Sequence, residues 1–159
     1  VYNTSEENSE IQIDKVNQYA PAEGLKVEVS GVNNVNDLPQ VMDSILKKVD
    51  AMYILSDNMV AEAVGLVSKK LNENKVISVS AEESQVQGGI LITNGLSYYD
   101  LGKKTAEIAK EILVDKKDPS QMPVWSAVDT KTTVNIKSLE ALGLDKNLPI
   151  FKDIVEVGN

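Results

Sequence analysis

Two clusters of side chains have types and spacing suited to holding a small polar molecule. The first is Asn3-Thr4-Ser5-Glu6-Glu7-Asn8-Ser9, which follows the apolar stub Val1-Tyr2 and opens a helix. A helix N-terminus presents unpaired N–H groups and partial positive charge, so these residues suit a ligand carboxylate. The same residues also read as a solvated capping loop, with Thr4 and Glu7 at capping-box spacing. The second cluster is Ser56-Asp57-Asn58, directly after the apolar run Ala51-Met52-Tyr53-Ile54-Leu55. Asp57 serves either as an N-cap, worth about 1 kcal/mol to the fold, or as the partner of a ligand ammonium. A carboxylate has lone pairs enough for both roles. Tyr98 and Tyr99 stand at a further helix start, where they can pack or stack on a ligand.

Composition narrows the chemistry. The 159 residues contain no Cys and no His, which removes ordinary zinc sites, disulfides and Cys- or His-based nucleophilic centres. With 24 acidic against 16 basic residues the net charge is -8, and every basic residue is Lys. A nucleic-acid partner is excluded, because phosphate binding needs clustered positive charge. Without Arg no planar fork can clamp an anion from two sides, so any anion is held by backbone N–H groups, hydroxyls or Lys. Neither nucleotide-binding glycine fingerprint occurs, so Gly88-Gly89 reads as a turn. The chain opens on Val1 with no signal peptide and no apolar run near the roughly 20 residues of a membrane span. The expectation is a chain whose upstream part lies elsewhere.

The elements that must position these clusters alternate along the chain. A strand stub at 1–3 precedes a helix carrying Ile13, Val16 and Ala20, which Pro21 and Gly24 end. Residues 25–32 alternate with period two and predict a strand. Asn36-Asp37-Leu38-Pro39 starts a second helix, and 51–55 predict a strand covered on both faces. A single helix from 58 carries Val60, Val64, Val67 and Leu71; strands follow at 76–79 and 90–93, then a helix at 98–113. Residues 124–128, with Trp125, suggest an edge strand or core contact, and 135–142 a short helix stopped by Gly143. This alternation predicts one α/β domain over 1–159, a three-layer, mostly parallel sheet of about five strands flanked by helices. Ligands of such sheets sit outside the carboxyl ends of the strands, where both clusters fall.

Three function classes compete. A receiver-like signalling domain also places an Asp after its third strand, but an acidic pair should end the first strand and Lys the fifth; Tyr2-Asn3 and Asn94-Gly95 stand there. An enzyme needs an activated nucleophile or two carboxylates of separated pKa, and no such arrangement is evident. A non-catalytic solute-binding lobe, without cofactor or metal, accounts for both clusters. A ligand-sensing domain of a transcriptional regulator remains open beside it.

Several short motifs share an order and spacing: Tyr2-Asn3-x-x-Glu6-x-Asn8-Ser9, Val49-Asp50-Ala51-x-Tyr53, Asp57-Asn58, Gly89-x-Leu91 and Tyr98-Tyr99-x-Leu101-Gly102-x-x-Thr105-Ala106, then Pro123-Val124, Val134-Asn135 and Ala141-Leu142-Gly143-Leu144. With these the chain resembles the ABC-importer substrate-binding proteins of the tryptophan/tyrosine type, which have the type I periplasmic-binding-protein fold. The resemblance implies the C-terminal of two lobes that close on an amino acid, an ABC permease as partner, and an extracytoplasmic, lipid-anchored whole protein. It carries Ser5, Glu6, Asn8, Ser9, Asp57 and Asn58 over as cleft residues, with Tyr98 added as a ligand contact at the rim. Glu82 departs from it, standing where relatives often have Asp. The helix at 98–113 would pack on the other lobe, and without that lobe its Leu101, Ile108 and Ile112 would drive formation of a homodimer.

Overall fold

The computed structural model describes residues 1–126 and 130–158. Strand β1 (Tyr2–Asn3) and helix α1 (Glu7–Tyr19) lead to β2 (Gly31–Val32), which pairs in parallel with β1. Helix α2 (Leu38–Ile45) then leads into the main sheet, whose strands are β3 (Ala51–Ile54), β4 (Ile77–Glu82), β5 (Ile92–Leu96), β6 (Lys131–Asn135) and β7 (Val155–Val157), adjacent in that order. β3, β4 and β5 are parallel, β6 is antiparallel to β5, and β7 is parallel to β6. Parallel neighbours need crossovers. Helices α3 (Asn58–Glu62) and α4 (Val64–Glu73) make the first, and α5 (Glu83–Gln87) makes the second. After β5 come α6 (Tyr98–Leu113) and, beyond β6, α7 (Ile136–Leu142). No helix among the described residues is long and apolar enough to cross a membrane.

The main core lies on one face of the sheet. Met52 and Ile54 of β3 meet Leu38, Met42 and Ile45 of α2, Val60 of α3, and Val67 and Leu71 of α4, all buried in one cluster. Burying each such side chain is worth about 1.5–3 kcal/mol. A smaller cluster joins Leu91, Ile92, Val134 and Leu139, with Phe151 and Ile154 against it. The turn between α5 and β5 is fixed by polar groups. Gly89 takes φ 105°, Ser68 Oγ donates to the Gly88 carbonyl at 2.9 Å, and Ser138 Oγ donates to the Gly89 carbonyl at 2.6 Å. Asn135 caps α7 through the Ser138 N–H, and Gly143, at φ 71°, ends it.

Several expectations from sequence are corrected. Residues 25–30 form no strand, and only Gly31–Val32 pair with β1. β3 is not covered on both faces: its burial alternates, and Tyr53, Ile77 and Val79 stand 42%, 39% and 37% exposed on the face opposite the core. The helix after Asp57 breaks at Ala63 into α3 and α4. β4 runs to Glu82, β5 starts at Ile92, and α5, β6 and β7 were not anticipated. Val124 and Trp125 are exposed and outside any strand, and residues 127 and 128 lie outside the described residues. α1 ends at Tyr19, and Pro21 sits in the 3-10 turn (Ala20–Glu23) that follows it.

A side chain at Gly95 of β5 would overlap the Ala81 carbonyl oxygen, next to the register shift between Ser80 and Glu82. Backbone cannot yield as a side-chain tip can. Gly95→Ala is expected to destabilise the fold by about 1–3 kcal/mol in urea denaturation.

Candidate functional site

The loops after β1 and β3 meet at one buried carboxylate. Asp57 is 1% exposed, and its Oδ2 accepts from the Asn3 N–H at 2.7 Å and from Ser9 Oγ at 2.8 Å. Its Oδ1 accepts from the Val60 N–H at 3.0 Å, capping α3. The Asn3 N–H points away from β2, since Tyr2 N–H and the Thr4 N–H donate to the Ser30 and Val32 carbonyls. Asp57 therefore closes the free edge of β1, where a neighbouring strand would otherwise supply a carbonyl. A buried charge is tolerated only when such donors replace its water.

Around this centre the loops are laced together near the surface. Glu6 Oε2 accepts from the backbone N–H and from Nδ2 of Asn58, both at 3.1 Å, and Glu6 Oε1 accepts from Asn3 Nδ2 at 3.2 Å. Asn8 Nδ2 donates to the Ser56 carbonyl at 2.7 Å, and Gln12 Oε1 accepts from the Ser56 N–H at 3.0 Å. Asn3 Oδ1 receives the Ser5 N–H, and Thr4 Oγ1 donates to Asn33 Oδ1 beyond β2. No side chain caps α1, whose N-cap residue is Glu6 rather than Thr4. The result is a polar platform whose Ser5, Asn8 and Asn58 are exposed, whose Glu6 is half-buried, and whose Ser9 and Asp57 are interior.

The end of β4 continues the platform. Glu82 is 6% exposed and accepts from Ser84 Oγ at 3.1 Å and from Gln85 Nε2 at 3.2 Å. Gln85 Nε2 also donates to the Leu55 carbonyl at the end of β3, at 2.9 Å. Tyr98, at the start of α6, has its phenol pushed to higher pKa by burial first, then by its hydrogen bond to Glu82 and by that residue's charge. A separate cavity of about 310 Å³ lies beside α7 and β7, lined in part by Ile136, Leu139 and Lys146, and shares no residue with the platform. The platform's chemistry, not that hollow, matches the carboxyl-end rule.

Sequence reasoning placed both clusters where the chain folds them together. It read Asp57 as the N-cap of the next helix, as the partner of a ligand ammonium, or as both; the structure shows the cap, with the carboxylate turned inward onto three protein donors. A receiver reading fails on the same burial, since a phosphodonor must reach the acceptor Asp. Gln12 was missed; its signal is its i,i+4 spacing from Asn8, which puts both amides on one face of α1. Ser84 and Gln85 were missed because α5 was missed.

A polar platform at the carboxyl ends of β1 and β3 lies where α/β folds hold small ligands. The chain belongs to the family described as ABC transporter substrate binding protein, whose model matches residues 1–157. This is a family of substrate-binding proteins, not of enzymes. A protein named tyrosine-binding protein from Clostridioides difficile (strain R20291) is 35% identical over 146 residues, which are 92% of this chain and 42% of that protein. Among solved structures, a ligand-free, open substrate-binding protein with adhesive properties from Clostridium difficile is 39% identical with a TM-score of 0.79, over 98% of this chain and 52% of that one. An ABC domain in complex with L-Trp from Streptococcus pneumonia is 26% identical with a TM-score of 0.84, over 98% and 54%. The chain thus spans about half the length of the relatives it matches.

Removing the Asp57 carboxylate orphans three donors in the interior. Asp57→Ala is expected to cost about 3 kcal/mol of stability in urea denaturation, against less than about 1 kcal/mol for Asn58→Ala at the exposed rim.

Proposed function

We propose that this chain is one lobe of a two-lobed ABC-importer substrate-binding protein and forms one wall of a cleft that holds an aromatic amino acid. The observation that supports it is the laced platform of Glu6, Asn8 and Asn58, open to solvent at the carboxyl ends of β1 and β3 in a chain of this family. The uncapped N-terminus of α1, with Ser5 and Asn8 beside it, suits the ligand's carboxylate in a chain that has no Arg. Ser9 and Asp57 serve by holding the loops in register, and Tyr98 lies at the rim, where its ring can stack. The names of the relatives, one tyrosine-binding and one holding L-Trp, support an aromatic amino acid over other solutes. The whole protein then works outside the cytoplasm, held by a lipid anchor, and delivers its ligand to an ABC permease.

The remaining lobe has a place to pack. None of α6 is buried, and its Leu101, Ile108 and Ile112 are only half-covered. In the whole protein α6 rests on the second lobe. In the isolated chain this apolar stripe invites a second copy.

Isothermal titration of the two-lobed protein with L-tyrosine and L-tryptophan is expected to give saturable binding to at least one. Absence of heat with both would redirect the search to other solutes. For residues 1–159 alone, light scattering coupled to size exclusion is expected to report a dimer that Ile108→Lys dissociates. A monodisperse monomer would show that α6 needs no cover.

A further inference from the structure

Strand β1 is shorter than the sequence beside it would support. Its ladder with β2 is parallel and sets Tyr2 opposite Gly31 and Asn3 opposite Val32. Ahead of β2, Leu25, Val27 and Val29 alternate with Lys26, Glu28 and Ser30. That alternation has the period of a strand, yet residues 25–30 form none. The hydrogen bonds of β1 show which way these residues would pair. The Tyr2 and Thr4 N–H groups donate to the Ser30 and Val32 carbonyls, so a strand over 25–30 would turn the backbone groups of its even-numbered residues toward β1 and those of its odd-numbered residues away. On its other side β1 meets the chain beyond β3, since the Asn3 N–H donates to Asp57, three residues past the end of that strand. Among the described residues β3 pairs only with β4, so its edge toward β1 is open as well. The Val1 side chain already packs against the main core. Its ammonium is held below its usual pKa, first by burial, against the opposing charge of Asp57. A peptide bond at that nitrogen carries no charge and removes this cost of burial.

We infer that the segment preceding Val1 in the whole protein is a β-strand that continues β1 backward between residues 25–30 and β3, and so joins the two sheets of the lobe into one. This rests on the reading of the chain as one lobe of a longer protein. Carrying the register of Tyr2 and Gly31 back residue by residue sets Val1 opposite Ser30, and the five residues before Val1 opposite 29 down to 25. A strand so placed pairs on both edges, as the inner strands of parallel sheets do. A second copy of the chain fits the same slot less well, because its strand would have to stop where Val1 already stands and would not be continuous with the β1 ladder. The consequence reaches the platform. The connection from the other lobe then runs, bonded on both edges, straight to Asn3, whose N–H is held by Asp57 and whose side chain donates to Glu6. Motion of one lobe against the other is passed to the platform through a ladder instead of through a loose linker.

The test is amide hydrogen exchange followed by NMR on the unliganded two-lobed protein, with interstrand NOEs read from the same sample. The Lys26 and Glu28 N–H groups are expected to exchange at least about a hundredfold more slowly than those of Val27 and Val29, because only the even-numbered amides face the slot. Backbone NOEs are expected between residues 26–30 and the five residues before Val1. Equal exchange in the two sets, slower exchange at Val27 and Val29, or no NOE between the two segments overturns the inference. So do NOEs that lead from 26–30 to another segment or, with mixed isotope labels, to a second copy of the protein. Since no ligand is present, the outcome is separate from the titrations with L-tyrosine and L-tryptophan. Failure of both to bind would end the amino-acid reading while the strand is still decided by its own amides.

Discussion

The lobe depends on one buried carboxylate. β1 has only two residues in its ladder, and one edge of it bonds to β2. A strand so short has little stability of its own, and among the described residues no strand pairs with its other edge. Asp57 supplies the missing acceptor to Asn3, holds Ser9 of α1, and caps α3, so residues 3–9 and 57–60, distant from each other in sequence, converge on two oxygen atoms. Neutralising or removing that group would release a strand edge, a helix start and a cap together, and such linked losses do not add as independent ones do. The polar platform inherits its geometry from this arrangement. Glu6 can meet Asn58 only because Asn3 and Asp57 have already fixed the two loops side by side.

That dependence explains why the interior and the rim of one cluster have different jobs. Ser9 and Asp57 face inward and are fully engaged, while Ser5, Asn8 and Asn58 lie outward with capacity to spare. Residue type does not separate these two sets. An Asp at a helix start can cap, bind, or do both, and only burial distinguishes them. The same logic applies at β4, where the buried Glu82 takes its donors from Ser84 and Gln85 of the next helix.

Much of the fold was legible because the helices and the central strands bury apolar residues at regular spacing. α6 has the bounds its periodicity predicts, and Asn135 and Gly143 bracket α7 as cap and stop. What was not legible was stabilised by contacts remote in sequence. β6 and β7 carry no distinctive pattern of their own, and they exist because Thr133, Val134 and Asn135 find β5 on one side and residues 155–157 on the other. Residues 25–30 alternate convincingly, yet no strand lies beside them to complete a ladder. The platform was legible as to place, from the rule that ligands sit at carboxyl ends, but not as to role. Asp57's inward orientation follows from the unpaired Asn3 N–H, which no local signal reveals.

Electrostatics sets a further constraint on what such a lobe can hold. With a net charge of -8 and no Arg, it has no side chain that grips an anion in bidentate fashion. An anionic group must rely on backbone dipoles, such as the uncapped start of α1, which weaken quickly with distance and are opposed by Glu7 and Glu10 in the same turn. A cationic group meets the opposite situation, since Glu6 and Glu82 both stand at the carboxyl ends of the strands. The balance favours a ligand whose positive end is bound by side chains and whose negative end is bound by N–H groups. A zwitterion fits that division better than a simple acid or a simple base, because each end would meet the kind of group the lobe possesses there.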